Sequence, residues 1–162
     1  IEHLLADARR DLSVLVLVAV SQPKMQRLPD ALSGLRLLIL NRAELETLAE
    51  ATLSSLDDIK QASVQLQSRG VRDVLVTLGS EGVAYTSGDS FHHLTAPSVE
   101  VIDVTGAGDA FAAAVCWSLS HDNDDLTKAC QHGLRLAAIT LQTAATVCTS
   151  INSHTLQIES AS

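Results

Sequence analysis

The sequence predicts an α/β protein with a mainly parallel sheet flanked by helices, and three observations carry that expectation. Runs of branched and Leu residues at 14–20, 35–40 and 73–78 have the length and composition of strands covered on both faces. Segments of helical period, joined by short links, alternate with them. A hydrophobic share of 46% against 19% charged residues supports a packed core, not a disordered chain. Aromatic residues contribute only 2%, so that core must be filled by Leu, Val, Ile and Ala.

Each element has its own reason. Residues 3–10 read as a helix with Leu4, Leu5 and Ala8 on one face, and 14–20 as the first buried strand. Residues 25–32 read as a helix. The strand at 35–40 is followed by Asn41 and a helical stretch to Ala49. The helix at 57–69 repeats Ile59, Ala62, Leu66 and Arg69 at helical spacing, and Gly70 supplies its stop. The strand at 73–78 runs into Gly79-Ser80-Glu81-Gly82. Residues 83–86 and 91–94 form a hairpin across Ser87-Gly88-Asp89. Residues 99–104 lead to a Gly-rich turn, and 107–119 and 125–145 are the last two helices. Asp122, Asp124 and Asp125 favour the start of the second of these.

The chain of 162 residues amounts to one domain, expected over 1–149, with a polar tail at 150–162. A net charge of −8 argues against a nucleic-acid-binding surface, which needs a basic stripe. The longest apolar run is too short to span a membrane. Cys116, Cys130 and Cys148 form no C-x-x-C pair and read as reduced thiols, which suits a cytoplasmic protein. Ile1-Glu2-His3-Leu4 shows neither an initiator Met nor a signal pattern and reads as the interior of a longer chain.

Chemistry concentrates in Asp103-Val104-Thr105-Gly106-Ala107-Gly108-Asp109. Two glycines let the backbone turn and expose its amides, and a helix N-terminus after them adds its dipole, so the turn suits an anion. A carboxylate inside an anion site makes sense if Asp109 takes a proton from a hydroxyl that attacks the phosphate. Asp109 as a plain helix cap is the simpler alternative. The turn is not a P-loop, since no G-x-x-x-x-G-K-S/T occurs. It is a poor dinucleotide fingerprint, since Phe111 stands where Gly or Ala is needed, and that disfavours an oxidoreductase. Asn41-Arg42-Ala43-Glu44 and Thr77 to Gly82 follow two further strand ends. In an open α/β sheet ligands sit beyond such ends, so the three segments are expected to converge. A helix N-cap with a capping box explains Asn41 and Glu44 equally well, and a turn before a hairpin explains Gly79 and Gly82. Trp117 reads as a core residue. His92 and His93 have no third ligand at metal spacing.

Taken together, Asn41-x-x-Glu44, Thr77-Leu78-Gly79-x-x-Gly82 and Asp103-x-Thr105-Gly106-Ala107-Gly108-Asp109 resemble the ribokinase-like (PfkB) family of carbohydrate and nucleoside kinases, in its C-terminal, nucleotide-binding half. The resemblance implies a partial three-layer ribokinase-like fold and transfer of the ATP γ-phosphate to a primary hydroxyl of a small sugar or nucleoside. It implies Asp109 as general base and the amides of Gly106, Ala107, Gly108 and Asp109 as the anion hole. Asn41 and Glu44 would hold Mg2+ through water, Asn41, Thr77, Gly79, Ser80 and Gly82 would contact the nucleotide, and Asp103 and Thr105 would serve a monovalent cation such as K+. Val20-Ser21, Lys24, Asn41-Arg42, Glu44, Glu46 and the segment from Val101 to Gly106 are similar to the pseudouridine-kinase subgroup. The sequence departs from the family in lacking the N-terminal Gly-Gly motif and lid, and in carrying Val18-Ala19 where many members have Asp-Pro. Without those parts the chain is expected to have little turnover by itself, and the longer parent could form a homodimer. A non-catalytic nucleotide-binding or interaction module derived from such a kinase is the competing expectation.

Overall fold

A computed structural model describes residues 1–11, 14–25, 27–121 and 125–143, without the side chains of 9–11. It resolves into two compact units, Ile1–Gly79 with Val83–His93, and Ser80–Gly82 with Leu94–Ser162. Cys148, Asp122, Asp124 and the tail expected at 150–162 lie outside the described residues.

The first unit is a five-stranded sheet in the order β1 (Leu15–Val18), β2 (Leu35–Asn41), β3 (Asp73–Thr77), β4 (Val83–Ser87) and β5 (Ser90–Leu94). β1, β2 and β3 run parallel, and β4 returns antiparallel to β3. The central strands are buried on both faces, as their unbroken apolar runs require: Leu37, Leu38, Val74, Leu75 and Val76 have no exposed surface. One face packs into a core with Leu45 of α3 (Arg42–Ala49) and Ile59, Ala62 and Leu66 of α4 (Leu56–Ser68). Each of these Leu and Ile side chains contributes about 1.5–3 kcal/mol on leaving water. Ser55 starts α4 with a capping box closed by Asp58, and Gly70 ends the segment at φ +108°. A side chain at Gly70 would run into the backbone of Ser33 at 2.7 Å.

The expected helix over 25–32 is instead one turn, α2 (Gln22–Met25). Pro29 explains the difference: it offers no N–H to a helix and drives Leu28 towards extended backbone. The strand expected at 14–20 is shorter and half-buried, because β1 pairs only with β2 among the described residues; Val14 and Val20 are 71% and 65% exposed. In α1 (Glu2–Asp11), Leu5 and Ala8 are buried as expected, but Leu4 faces away and is 58% exposed.

The second unit is built on α5 (Ala107–His121) and α6 (Leu126–Leu141), which pack on one another. Phe111 is buried and lies flush on Gly133, where an added Cβ would stand 2.6 Å from the ring. The position that spoils a dinucleotide fingerprint is therefore a helix-packing position. Asp125 caps α6, its Oδ1 accepting the Lys128 N–H at 3.0 Å, and α6 ends at Leu141, short of the expected 145. Trp117 is half-buried against Ala114 and Leu136 and stacks on His121 with ring centroids 4.8 Å apart. Among the described residues, no helix is long and apolar enough to cross a membrane.

Candidate active site

Two strand ends of the first unit carry the first group of expected site residues. Asn41 closes β2 and Thr77 closes β3, and the parallel register sets them directly side by side. Asn41 then turns the chain into α3 through a full capping box. Its Oδ1 accepts the Glu44 N–H at 2.9 Å, while Glu44 Oε2 accepts the Asn41 N–H at 2.9 Å. Asn41 is exposed, whereas Glu44 is only 4% exposed. The capping alternative is thus realised, and it limits what Glu44 can give a cation: one oxygen is taken by the backbone. The neighbouring acid, Glu46, is also occupied, since its Oε1 accepts the Leu53 N–H at 2.9 Å and ties down the α3–α4 link.

The turn after β3 holds two glycines with different duties. Gly79, at φ +62°, has open space where a Cβ would stand. Gly82, at φ +101°, is buried, and a Cβ there would collide with the Leu94 carbonyl and stand 2.7 Å from Ala96 N. Gly82 therefore serves a close backbone approach and offers a ligand no surface of its own, while Ser80 and Glu81 are exposed.

In the second unit the segment 99–104 is not a strand; Val101, Ile102 and Val104 are exposed. It is moored instead by Ile102 N–H and Asp103 N–H, both donated to the Leu141 carbonyl at the end of α6, at 2.8 and 3.3 Å. Asp103 Oδ1 then accepts the Thr105 N–H at 2.8 Å, a local clasp that holds the carboxyl below its usual range. Gly106, at φ +81°, completes the turn. The first helical bond of α5 runs from Ala110 N to Gly106 O at 2.9 Å. The amides of Gly106, Gly108 and Asp109 thus have no partner among the described residues, while that of Ala107 reaches back to Val104 O at 3.4 Å. Three of the four expected anion-hole donors are open. Asp109, third residue of α5, is exposed and its carboxylate has no partner among the described residues. A lone carboxylate beside open amides at the positive end of a helix can accept a proton next to a bound anion.

A cleft of about 600 Å³ lies in this unit, between the segment from Thr95 to Val99 and one face of α6. Sequence reasoning missed it. The lining residues Gln131, Leu134, Arg135, Ala138, Ile139 and Gln142 recur at helical spacing, but that pattern alone reads as an ordinary helix face. His92, in β5, stacks on Tyr85 at 4.9 Å and does not join any of these groups.

The first unit is an open, mainly parallel sheet with polar strand ends, and the second carries a Gly-rich turn that opens a helix. Known proteins narrow the class. A solved structure described as a putative sugar kinase from Clostridium perfringens superposes with a TM-score of 0.84 at 26% identity, over 96% of this chain and 48% of that one. A ribokinase of Staphylococcus aureus (strain COL) is 29% identical over 113 residues, 70% of this chain and 37% of the relative. A pseudouridine kinase of Escherichia coli (strain K12) is 35% identical over 101 residues, 60% and 32% respectively. The model of the pfkB family of carbohydrate kinases matches residues 1–152, and the chain belongs to that family. It spans about half the length of that solved kinase and about a third of these two curated relatives.

Proposed function

We propose that this chain is the nucleotide-binding part of an ATP-dependent kinase that phosphorylates a primary hydroxyl of a small sugar or nucleoside. The observation that carries the reading is the exposed Asp109 carboxylate, unpartnered among the described residues, beside the open amides of Gly106, Gly108 and Asp109. These amides would hold the migrating phosphoryl group, and Asp109 would accept the proton of the attacking hydroxyl. Positioning and fixed dipoles are most of what phosphoryl transfer asks of a protein. The cleft between Val99 and α6 would take the nucleobase. Its volume suits a small ligand, and the mooring of Ile102 and Asp103 to Leu141 fixes the turn at one end of the helix that lines it.

Mg2+ prefers oxygen donors and keeps several waters, so Asn41 and Glu44 fit it best through water, given that Glu44 Oε2 is engaged by backbone. The ion would neutralise charge on the triphosphate. Thr77, Gly79 and Ser80 would contact the nucleotide's phosphates, with Gly82 holding the turn. Asp103 and Thr105 would present oxygens to a monovalent cation such as K+. For the acceptor, the 35% identity to a pseudouridine kinase favours pseudouridine, giving pseudouridine 5′-phosphate. The half-buried Cys116 and the buried Cys130, both free, suit a cytoplasmic setting.

Asp109→Asn tests the reading. In the active kinase, turnover should fall at least about 100-fold while nucleotide affinity changes less than about threefold. A near-normal rate removes the role given to Asp109. The 162-residue chain alone should bind nucleotide but show no acceptor-dependent turnover, because positioning of the acceptor supplies much of the rate.

A further inference from the structure

The cleft in the second unit has apolar walls and polar ends. Pro97 and Val99 line it on one side, and Leu134, Ala138 and Ile139 of α6 on the other. A glutamine stands towards each end. Gln142 follows Leu141, whose carbonyl moors the phosphate-binding turn, so that end of the cleft adjoins the turn. Gln131 lies ten residues before Leu141, about 15 Å back along α6 at the helical rise. Gln131 is exposed, and its carboxamide has no hydrogen bond among the described residues. Arg135, between the two glutamines, already has an interaction of its own and is not free for a ligand. With phosphates at Gly106 to Asp109, a nucleotide laid along the cleft sets its sugar by Gln142 and its base between the apolar walls. The edge of the base then points to Gln131.

We infer that Gln131 sets the nucleobase preference of this chain, and that the base it selects is adenine. Gln131 can do so only if the second unit holds the nucleotide as proposed above. A carboxamide carries a donor and an acceptor side by side. Adenine presents the complement on one edge, a donor at N6 and an acceptor at N7, which such a group meets with two bonds. Guanine presents two acceptors there, O6 and N7, so the carboxamide oxygen would face another acceptor and one bond is lost. The apolar walls cannot draw this distinction, since they pack on the flat faces of either purine alike. Gln142 stands by the sugar, so the choice falls to Gln131.

The test is equilibrium binding of ATP, GTP, the 7-deaza analogue of ATP and inorganic tripolyphosphate, with Mg2+, to the 162-residue chain and to its Gln131→Ala form. The wild-type chain should bind ATP at least about fivefold more tightly than GTP, the lower end of what a bidentate purine contact discriminates. The 7-deaza analogue, which keeps N6 but lacks the N7 acceptor, should bind at least about threefold more weakly than ATP. Gln131→Ala should bring all three nucleotides within about twofold of one another and leave tripolyphosphate binding unchanged. Its thermal unfolding should match that of the wild type, because Gln131 is exposed on the helix and alanine is a good helix former. A smaller wild-type preference against either competitor overturns the inference, and so does a Gln131→Ala chain that still separates the nucleotides more than twofold. If tripolyphosphate binds the wild-type chain as tightly as ATP, the base is not held in the cleft, and the proposed nucleotide site fails together with the role of Gln131. Tighter binding of ATP than of tripolyphosphate, with the same nucleotide ratios in both chains, sinks Gln131 alone.

Discussion

Asn41 and Thr77 are register partners at the carboxyl ends of the parallel strands β2 and β3. Their pairing is the part of the expected convergence that the first unit contains by itself. It follows from sequence through register: the apolar runs of β2 and β3 stop together, Leu40 opposite Val76, so both strands end on a polar residue at one level.

Because Asn41 caps α3 and is also exposed, its two duties are separable. Asn41→Ala should cost about 1 kcal/mol, within the usual range of a lost N-cap, and weaken Mg2+-dependent nucleotide binding as well. Asn41→Ser keeps an oxygen for the Glu44 N–H and should hold stability within a few tenths of a kcal/mol. It should still weaken the Mg2+-dependent binding, because the shorter side chain spends its one hydroxyl on the cap and lacks the exposed carboxamide. Urea unfolding alongside nucleotide titration separates the two. A fully active Asn41→Ser protein would make Asn41 a cap and nothing more.

The Asp103 clasp predicts an acid-sensitive turn. The Thr105 N–H holds the folded-state carboxyl below its unfolded value, so its contribution is present above the ordinary aspartate range. It is lost as pH falls through that range and the lowered folded value. Amide exchange at Thr105, followed by NMR, should therefore rise below about pH 4, corrected for intrinsic rates. Asp103→Asn should remove the pH dependence of that exchange. An unchanged profile in the variant would mean that another group drives the opening.

Much of the first unit is legible in the sequence because single residues announce its boundaries. Gly70 ends the α4 segment, Ser55 and Asp58 start it, and the runs in β2 and β3 are too apolar to be anything but covered strands. β1 has the same composition, yet composition does not say which strand lies at a sheet edge; that depends on partners far along the chain. The GAGD turn was readable down to its open amides, since glycine placement fixes local backbone. The mooring of Ile102 and Asp103 on Leu141 was not, and neither was the cleft, because both join segments more than thirty residues apart. Gly82 shows the same limit: its φ is foreseeable from a turn, but its seat against Leu94 and Ala96 is tertiary.

A buried ion pair sits at the opposite ends of the strands from Asn41 and Thr77. Asp73 opens β3 with no exposed surface and pairs with Arg36 on β2, with Arg72 3.8 Å away. Removing one partner leaves the other charge buried, so Asp73→Ala should destabilise the protein by about 3–5 kcal/mol. Replacing both, Arg36→Met with Asp73→Leu, should recover most of that loss, since a buried pair gains little over apolar packing. Urea unfolding of the two single variants and the double one closes the cycle. Additive losses would show that the two side chains do not depend on each other.

Glu50 ends α3 in the left-handed region, at φ +51°, the one described non-glycine residue with positive φ. Its own N–H satisfies the Glu46 carbonyl, so the conformation is set by the helix end and not by the side chain, which is exposed. An L-residue held there pays about 1–2 kcal/mol that glycine does not. Glycine is freer in the unfolded chain, which returns part of that difference. Glu50→Gly should therefore stabilise the protein by about 0.5–1 kcal/mol, read as a higher urea midpoint with the same slope. The change also removes a negative charge near the helix C-terminus, where the dipole disfavours it, so both effects have one sign. To separate them, Glu50→Gln removes the charge but keeps the strain. If Glu50→Gln matches Glu50→Gly, charge and not backbone conformation is what this position costs.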